Sequence, residues 1–338
     1  MSIFVSVAAY RDPELVPTVL DCLAKADRPD ELRIVVNWQH RGDEDVSALH
    51  GDPRVTVLEF DARRSRGVGW ARAQVQRRYV DSDWYLQVDS HTRFAAGWDT
   101  RLIAMAGRTR AAKPILSCYP PGYDPAREFT GGGEPTLIAL HGWTHDGLPR
   151  FRHVGIAGWQ RAGGPVRARF VAAGFLFAPG SFVGEVPYDE RIYYQGEEIN
   201  LATRAFTWGY DLFHPVEVLA WHHYGRKDQV RHWMDHRTPG DGHWYDLDRA
   251  GRRRVTTLLR YVIVGGFGAG PVRPMSAYQE YAGIDFGRRT ATEETLAGRV
   301  PGVRRWWGSA LDRSGGESFG EESLPEGVHD HHGDADQQ

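Results

Sequence analysis

The chain has 338 residues, enough for one large α/β domain or two smaller ones. A net charge of −3 is close to neutral and argues against a dedicated nucleic-acid binder. Two cysteines, Cys22 and Cys118, are too few for a disulfide framework or a cysteine-ligated zinc site, and both read as small core residues. No run approaches the roughly 20 apolar residues that span a bilayer. The N-terminus opens directly on an apolar strand, without the basic region and apolar core of a signal peptide. These features predict a cytoplasmic protein with no transmembrane segment.

Residues 3–9 form a continuous apolar run, the mark of a strand buried on both faces. It ends in Tyr10-Arg11-Asp12-Pro13, where Asp12 can cap and Pro13 suits the first turn of a helix. Leu15, Val16, Val19, Leu20 and Leu23 then recur at helical spacing. Strands follow at 32–37 and 54–59. Strand, helix and strand at these spacings predict βαβ units and a mostly parallel sheet.

The stretch from Arg66 through Gly67 and Gly69 to Arg72 precedes a helix reaching about Tyr79. Glycines let backbone approach a ligand, and two guanidinium groups can fork onto phosphate. Ordinary turn chemistry explains the same glycines equally well. The next strand, from Trp84, ends in Asp89-Ser90-His91. A carboxylate there lies at the sheet's C-terminal edge, where open α/β sheets bind ligands. Asp89 and His91 can offer one oxygen and one nitrogen to a divalent ion, or Asp89 and Ser90 can simply cap the next helix.

A helix over 98–107 and a strand over 113–118 come next. Residues 119–165, rich in Gly, Pro, Trp and His, predict loops and a small antiparallel excursion including 136–140. Within it Tyr123, Trp143 and Trp159 suit either a peptide or sugar surface or plain loop anchoring. A strand over 170–177 contains Gly174, which predicts a close approach of backbone or ligand. Glu197 and Glu198 open a helix that runs to about Trp208, and acids there suit the helix dipole. A strand over 218–221 finishes in His222, His223, Tyr224, Gly225 and Arg226. A trailing helical layer follows, with helices over 252–264 and 276–286. From about Gly315 the composition predicts a disordered tail, whose His329, His331 and His332 have no folded context for a metal site.

Two strand ends therefore carry metal-capable residues, Asp89 with His91 and His222 with His223. Together they make an Asp/His/His set for an ion such as Mn²⁺ or Mg²⁺. Arginines from the 66–72 loop and carboxylates at 197–198 complete a site suited to expelling a diphosphate.

The order of these motifs resembles the metal-dependent GT-A glycosyltransferases. It is most similar to the polypeptide α-N-acetylglucosaminyltransferase "GlcNAc" family, cousins of the mucin-type polypeptide N-acetylgalactosaminyltransferases. The resemblance runs from residue 3 to about 286 and rests on 5–13, 66–72, 86–94, 196–198 with 205–215, and 221–226. It implies an α/β fold: a single Rossmann-like GT-A domain over 1–300 with a mostly parallel sheet. That domain comprises a nucleotide-binding half (1–118), an acceptor and metal half (119–226) and a helical extension (227–300), before a C-terminal segment (301–338). It implies that Ala8, Tyr10 and Arg11 contact the uridine of a UDP-sugar, and that Arg66, Gly69, Arg72 and Arg226 hold the donor. Asp89 and His91 match the family's aspartate-any-histidine metal motif, with Asp89 also near the ribose. His222 fits the third metal ligand, with His223 a lesser candidate. Glu197 matches the acid at the sugar or acceptor, and Glu198 lies where inverting relatives place a general base.

The implied reaction moves N-acetylglucosamine or a similar hexose to a hydroxyl on a protein or peptide, with retention. Without the anchor, stem or lectin-like repeat of the mucin-type relatives, a cytoplasmic acceptor is expected. A glycan, lipid or small-molecule acceptor, with inversion through Glu198, is the alternative. A metal-dependent nucleotide-sugar hydrolase or nucleotidyltransferase is the reading from another class.

Overall fold

The computed structural model describes residues 1–42, 44–225, 229–237, 243–261, 263 and 265–302. The tail from 315 and Arg226 therefore lie outside the described residues.

The first part of the chain alternates strand and helix: β1 (Ile3–Tyr10), α1 (Leu15–Lys25), β2 (Leu32–His40), β3 (Val55–Asp61), α2 (Val68–Gln76) and β4 (Trp84–Asp89). A short β5 (Thr92–Phe94), α3 (Trp98–Arg108) and β6 (Pro114–Ser117) follow. A hairpin of β7 (Thr136–Trp143) and β8 (Pro149–Gly155) is the antiparallel excursion read from the sequence. Then come β9 (Val166–Arg167), β10 (Phe175–Pro179), α4 (Phe182–Glu185), α5 (Glu197–Thr207), β11 (Asp211–His214) and β12 (Ala220–His222). The last layer holds α6 (His232–Asp235), α7 (Trp244–Arg260) and α8 (Met275–Ala282).

Eight strands form one sheet in the order β3-β2-β1-β4-β10-β6-β11-β9. β10 and β9 run antiparallel to their neighbours, and the remaining pairings are parallel. The pleat explains the unbroken apolar runs. In β1, Ile3, Val5, Val7 and Ala9 join the core beneath α1 and α3, while Phe4 joins the opposite core with Val35 and Tyr85.

Three elements differ from the sequence reading, each for a local reason. The strand expected over 170–177 starts only at Phe175, because side chains take the earlier backbone donors: Ala172 N–H donates to Ser117 Oγ and Ala173 N–H to Glu198 Oε1. The helix expected over 252–264 runs from Trp244 to Arg260, since Asp248, Gly251, Val255, Leu258 and Leu259 form one buried stripe that starts in a polar segment. The strand expected over 218–221 is β12, and it leaves the main sheet to pair antiparallel with β5.

The loop before α2 is also organised by packing. A Cβ on Gly69 would lie 2.3 Å from the Ile192 carbonyl oxygen and 2.9 Å from that of Asp189. Gly67, at φ +96°, faces the Tyr193 carbonyl at 2.4 Å in the same sense. These glycines seat α2 on the 189–193 segment. Gly69→Ala should destabilise the protein by about 1–3 kcal/mol through overpacking. Gly184→Ala, where nothing lies within 4 Å, should be close to neutral. Chemical denaturation of both variants checks this.

Candidate active site

Asp89 is the last residue of β4, at the C-terminal edge of the parallel strands. Two devices hold the turn that follows it. Thr18 of α1 donates from its hydroxyl to Ser90 O (2.8 Å) and accepts from Thr92 N–H (2.9 Å). The Thr92 hydroxyl donates back to Asp89 O at 2.9 Å. β5 starts at once and pairs with β12 in a register that sets His222 opposite Thr92. His223 N–H donates to His91 O at 3.0 Å. Antiparallel pairing thus carries a residue 133 positions further along the chain to Asp89.

The side chains converge. Asp89 Oδ2 lies 3.1 Å from His222 Nε2 and 3.8 Å from His91 Nε2, and the two imidazole nitrogens are 3.0 Å apart. Among the described residues, Asp89, His91 and His222 are the group whose ligand atoms, all within 4.8 Å of one another, could hold a metal ion. Behind His91, its Nδ1 faces Asp12 Oδ2 at 2.6 Å. An ionised carboxylate has no proton to give, so Nδ1 carries the hydrogen and Nε2 points a lone pair into the cluster. His222 Nδ1 is buried with no hydrogen-bond partner, so only Nε2 of that ring is engaged, and it faces the same point. Without a cation, a proton on His222 Nε2 can bridge to Asp89 Oδ2 or to His91 Nε2; its loss leaves one carboxylate oxygen and two imidazole lone pairs aimed at one point. The donor set therefore fits a divalent ion of hard-to-borderline character.

Electrostatics keep the set in its ligating form. Burial alone would raise the Asp89 carboxyl. The hydrogen bond with His222 and the charge of Arg72 hold it well below the usual carboxylate range. Burial likewise opposes ionisation of Asp12, and His91, Ser90 and the Glu14 N–H bring it down to about 2. Across the cluster stands Gly174, where a Cβ would be 2.7 Å from Asp89 Oδ2 and 3.9 Å from His222 Cδ2. The close approach expected at this glycine is real, and its partner is the Asp89 carboxylate.

The other expected residues divide. Arg72 is fully buried behind Asp89: it donates to Asp89 Oδ1 (2.6 Å), Val88 O (2.7 Å) and Ser6 O (3.3 Å). It orients the carboxylate instead of presenting an open fork to a donor. Arg66 is exposed. Ala8 lies beside Asp89 in register, with Asn37 on its other side. Tyr10 donates from its hydroxyl to Asp235 Oδ2 at 2.8 Å, and Arg11 pairs with the same carboxylate at 2.9 Å, so α6 covers both. His223 is drawn out of the cluster, with Nδ1 3.3 Å from Tyr123 O. Trp143, the last residue of β7, packs on Phe286, and Trp159 packs against a small core of Leu137, Ala139, Ile156 and Val216. Tyr123 stands nearer the site, under Arg93 and bonded to Glu14.

Glu197 and Glu198 begin α5. Burial raises both to about 7; Arg72 and Tyr188 oppose this for Glu197, and Tyr119 and the Ala173 N–H for Glu198. Glu197 Oε1 is buried without a hydrogen-bond partner, whereas Glu198 accepts from Tyr119 OH (2.5 Å) and Ala173 N–H (3.1 Å). Sequence reasoning treated Asp12 only as a cap and passed over Tyr119. The available signal for Asp12 was a carboxylate just past the end of β1, the strand adjacent to the one that ends in Asp89.

This architecture, a mixed α/β sheet with an Asp-x-His turn at its C-terminal edge, is that of a GT-A domain. It is similar to a crystal structure of GalNAc-T7 with UDP, GalNAc and Mn²⁺: TM-score 0.52, 14% identity, over 83% of this chain and 54% of that one. The chain thus spans about half the length of that structure. S. aureus TarS in complex with UDP-GlcNAc also matches, at a TM-score of 0.43 and 13% identity over 76% of this chain and 67% of that one. No curated protein matches the sequence. The model of the family described as Glycosyltransferase (GlcNAc) matches residues 2–52 and 43–288, and the chain belongs to that glycosyltransferase family. No helix among the described residues is long and apolar enough to cross a membrane.

The raised Glu198 makes a pH prediction. Its pKa is higher folded than unfolded, so the folded state favours the protonated acid and loses stability as pH climbs from about 4.5 to about 7. Glu198→Gln removes that loss. Relative to wild type, the variant should gain on the order of 2–3 kcal/mol between pH 4.5 and 8, read from denaturation midpoints across that range.

Proposed function

We propose that this glycosyltransferase is metal-dependent and moves a sugar, with N-acetylglucosamine the best fit, from a UDP-sugar to a hydroxyl on a protein or peptide, with retention. The observation that carries this reading is the convergence of Asp89 Oδ2, His91 Nε2 and His222 Nε2 at the edge of the parallel strands. One carboxylate and two imidazoles suit Mn²⁺, with Mg²⁺ the harder alternative. The GlcNAc family description supports the sugar. The UDP and Mn²⁺ in the similar GalNAc-T7 structure support the donor and the ion.

A bound divalent ion would neutralise the diphosphate whose charge grows as the sugar departs. Every other task falls to the chain's own side chains. Asp89, His91 and His222 hold the ion, and Arg72 keeps Asp89 ionised and aimed. Ala8 stands beside Asp89 in the sheet, and Tyr10 and Arg11 follow at the end of β1 beneath α6; the family resemblance gives these three the uridine. Glu197, with a buried and unpartnered oxygen, is free to accept a hydrogen bond from the donor sugar or the acceptor hydroxyl. Glu198 is tied at both oxygens to Tyr119 and Ala173. That suits a fixed wall better than a base that must reach a hydroxyl, and it favours retention, in which the leaving phosphate takes the acceptor proton. A cytoplasmic acceptor belongs to the same proposal.

Purified protein with Mn²⁺ and a panel of UDP-sugars should release UDP fastest from UDP-GlcNAc, and faster still with acceptor peptides; a chelator should stop it. No turnover with any donor, together with no UDP binding by calorimetry, would sink the proposal. An α-linked product by NMR fits retention, while a β-linked one assigns Glu198 as base. Turnover indifferent to acceptor indicates a hydrolase.

Asp89→Ala and His222→Ala should each lower Mn²⁺-dependent turnover by at least about 100-fold. His223→Ala, whose ring is turned to Tyr123, should stay within about threefold.

A further inference from the structure

We infer that Asp12 is a positioning residue: it fixes the tautomer of His91, and through it the ability of Asp89, His91 and His222 to hold a divalent cation. The inference rests on the metal-dependent reading of the site.

Asp12 lies between β1 and α1, with 2% of its surface exposed, and its two oxygens have different tasks. Oδ1 accepts from the Glu14 backbone N–H at 3.0 Å. Oδ2 accepts from the Ser90 hydroxyl at 2.6 Å and faces His91 Nδ1 at 2.6 Å. The His91 ring is itself buried, so water does not supply substitutes for these partners. A backbone N–H can only donate, which obliges the atom at the Oδ1 position to be an acceptor. Both oxygens being acceptors, Nδ1 must be the protonated nitrogen and Nε2 the free one. Nε2 is the atom 3.0 Å from His222 Nε2 and 3.8 Å from Asp89 Oδ2. A carboxylate behind a ligating imidazole also raises its basicity, and loss of such a partner typically weakens metal affinity 10- to 100-fold.

The asymmetry makes Asp12→Asn an informative variant. The asparagine oxygen must remain opposite the Glu14 N–H, because the reverse orientation sets an amide donor against a backbone donor. Its NH₂ then replaces Oδ2 and donates to His91 Nδ1. The ring proton is forced onto Nε2, where it points at His222 and blocks coordination. Size and shape are unchanged, so a purely structural role predicts no such reversal.

The test uses the full chain, with ¹⁵N-labelled histidine, free of metal and at a pH where the imidazoles are neutral. Nitrogen shifts should report a protonated Nδ1 for His91 in wild type and a protonated Nε2 in Asp12→Asn. Free Mn²⁺ counted by electron paramagnetic resonance during titration should give a Kd for the variant 10- to 100-fold weaker than wild type. An unchanged tautomer overturns the inference, as does a Kd within about threefold of wild type. Wild-type protein that binds no Mn²⁺ overturns the metal-dependent reading itself, which separates the two failures. If Asp12→Asn does not fold, the wild-type spectrum decides alone: a protonated His91 Nε2 contradicts the tautomer lock.

Discussion

The Asp89 carboxylate is gripped from opposite sides, and much of the surrounding structure exists to keep it there. Behind it, the fully buried Arg72 donates to Oδ1 and, through the same guanidinium, to the backbone of β1 and β4. In front, Oδ2 meets two imidazoles. Across it, Gly174 leaves no room for a side chain. A buried guanidinium that loses its carboxylate typically costs about 3–5 kcal/mol. The guanidinium that bridges the backbones of β1 and β4 is thus the group that aims the carboxylate.

The imidazoles are held by a second set of constraints. Asp12 holds His91 from the loop after β1, while Thr18 of α1 pins the turn between Asp89 and Thr92. The short β5–β12 ladder brings His222. Three segments remote in sequence, near residues 12, 90 and 222, therefore meet through neutral and charged hydrogen bonds. The loop and the turn among them are tied to regular elements by these bonds, which is what a site needs if ligand positions are to be fixed before a ligand arrives.

The central strands and the mostly parallel sheet were legible in the sequence, because strands buried on both faces leave unbroken apolar runs such as Ile3 to Ala9. Asp89, His91 and His222 were legible as residue types at strand ends. Their meeting as one Asp/His/His set was expected from their chemistry, but the pairing that brings it about was not legible, since β12 spans only Ala220 to His222 and its partner β5 is as short. The direction of Arg72 was equally hidden. A guanidinium near a glycine-rich turn reads the same whether it faces phosphate or turns inward to Asp89, and only tertiary packing decides. Gly69 followed suit, its need set by the carbonyls of Asp189 and Ile192 more than a hundred positions away. Gly174 shows the converse: a lone glycine inside a strand pattern predicted a close approach, and the approaching group is the Asp89 carboxylate.

The account stands or falls on whether one divalent ion is held jointly by Asp89, His91 and His222. Crystals of the full chain grown with Mn²⁺ and UDP, with anomalous data collected at the manganese edge, test this directly. The account predicts a single strong peak within coordination distance of Asp89 Oδ2, His91 Nε2 and His222 Nε2. A peak elsewhere, or an ordered UDP with none of these three atoms directed at an ion, would contradict it.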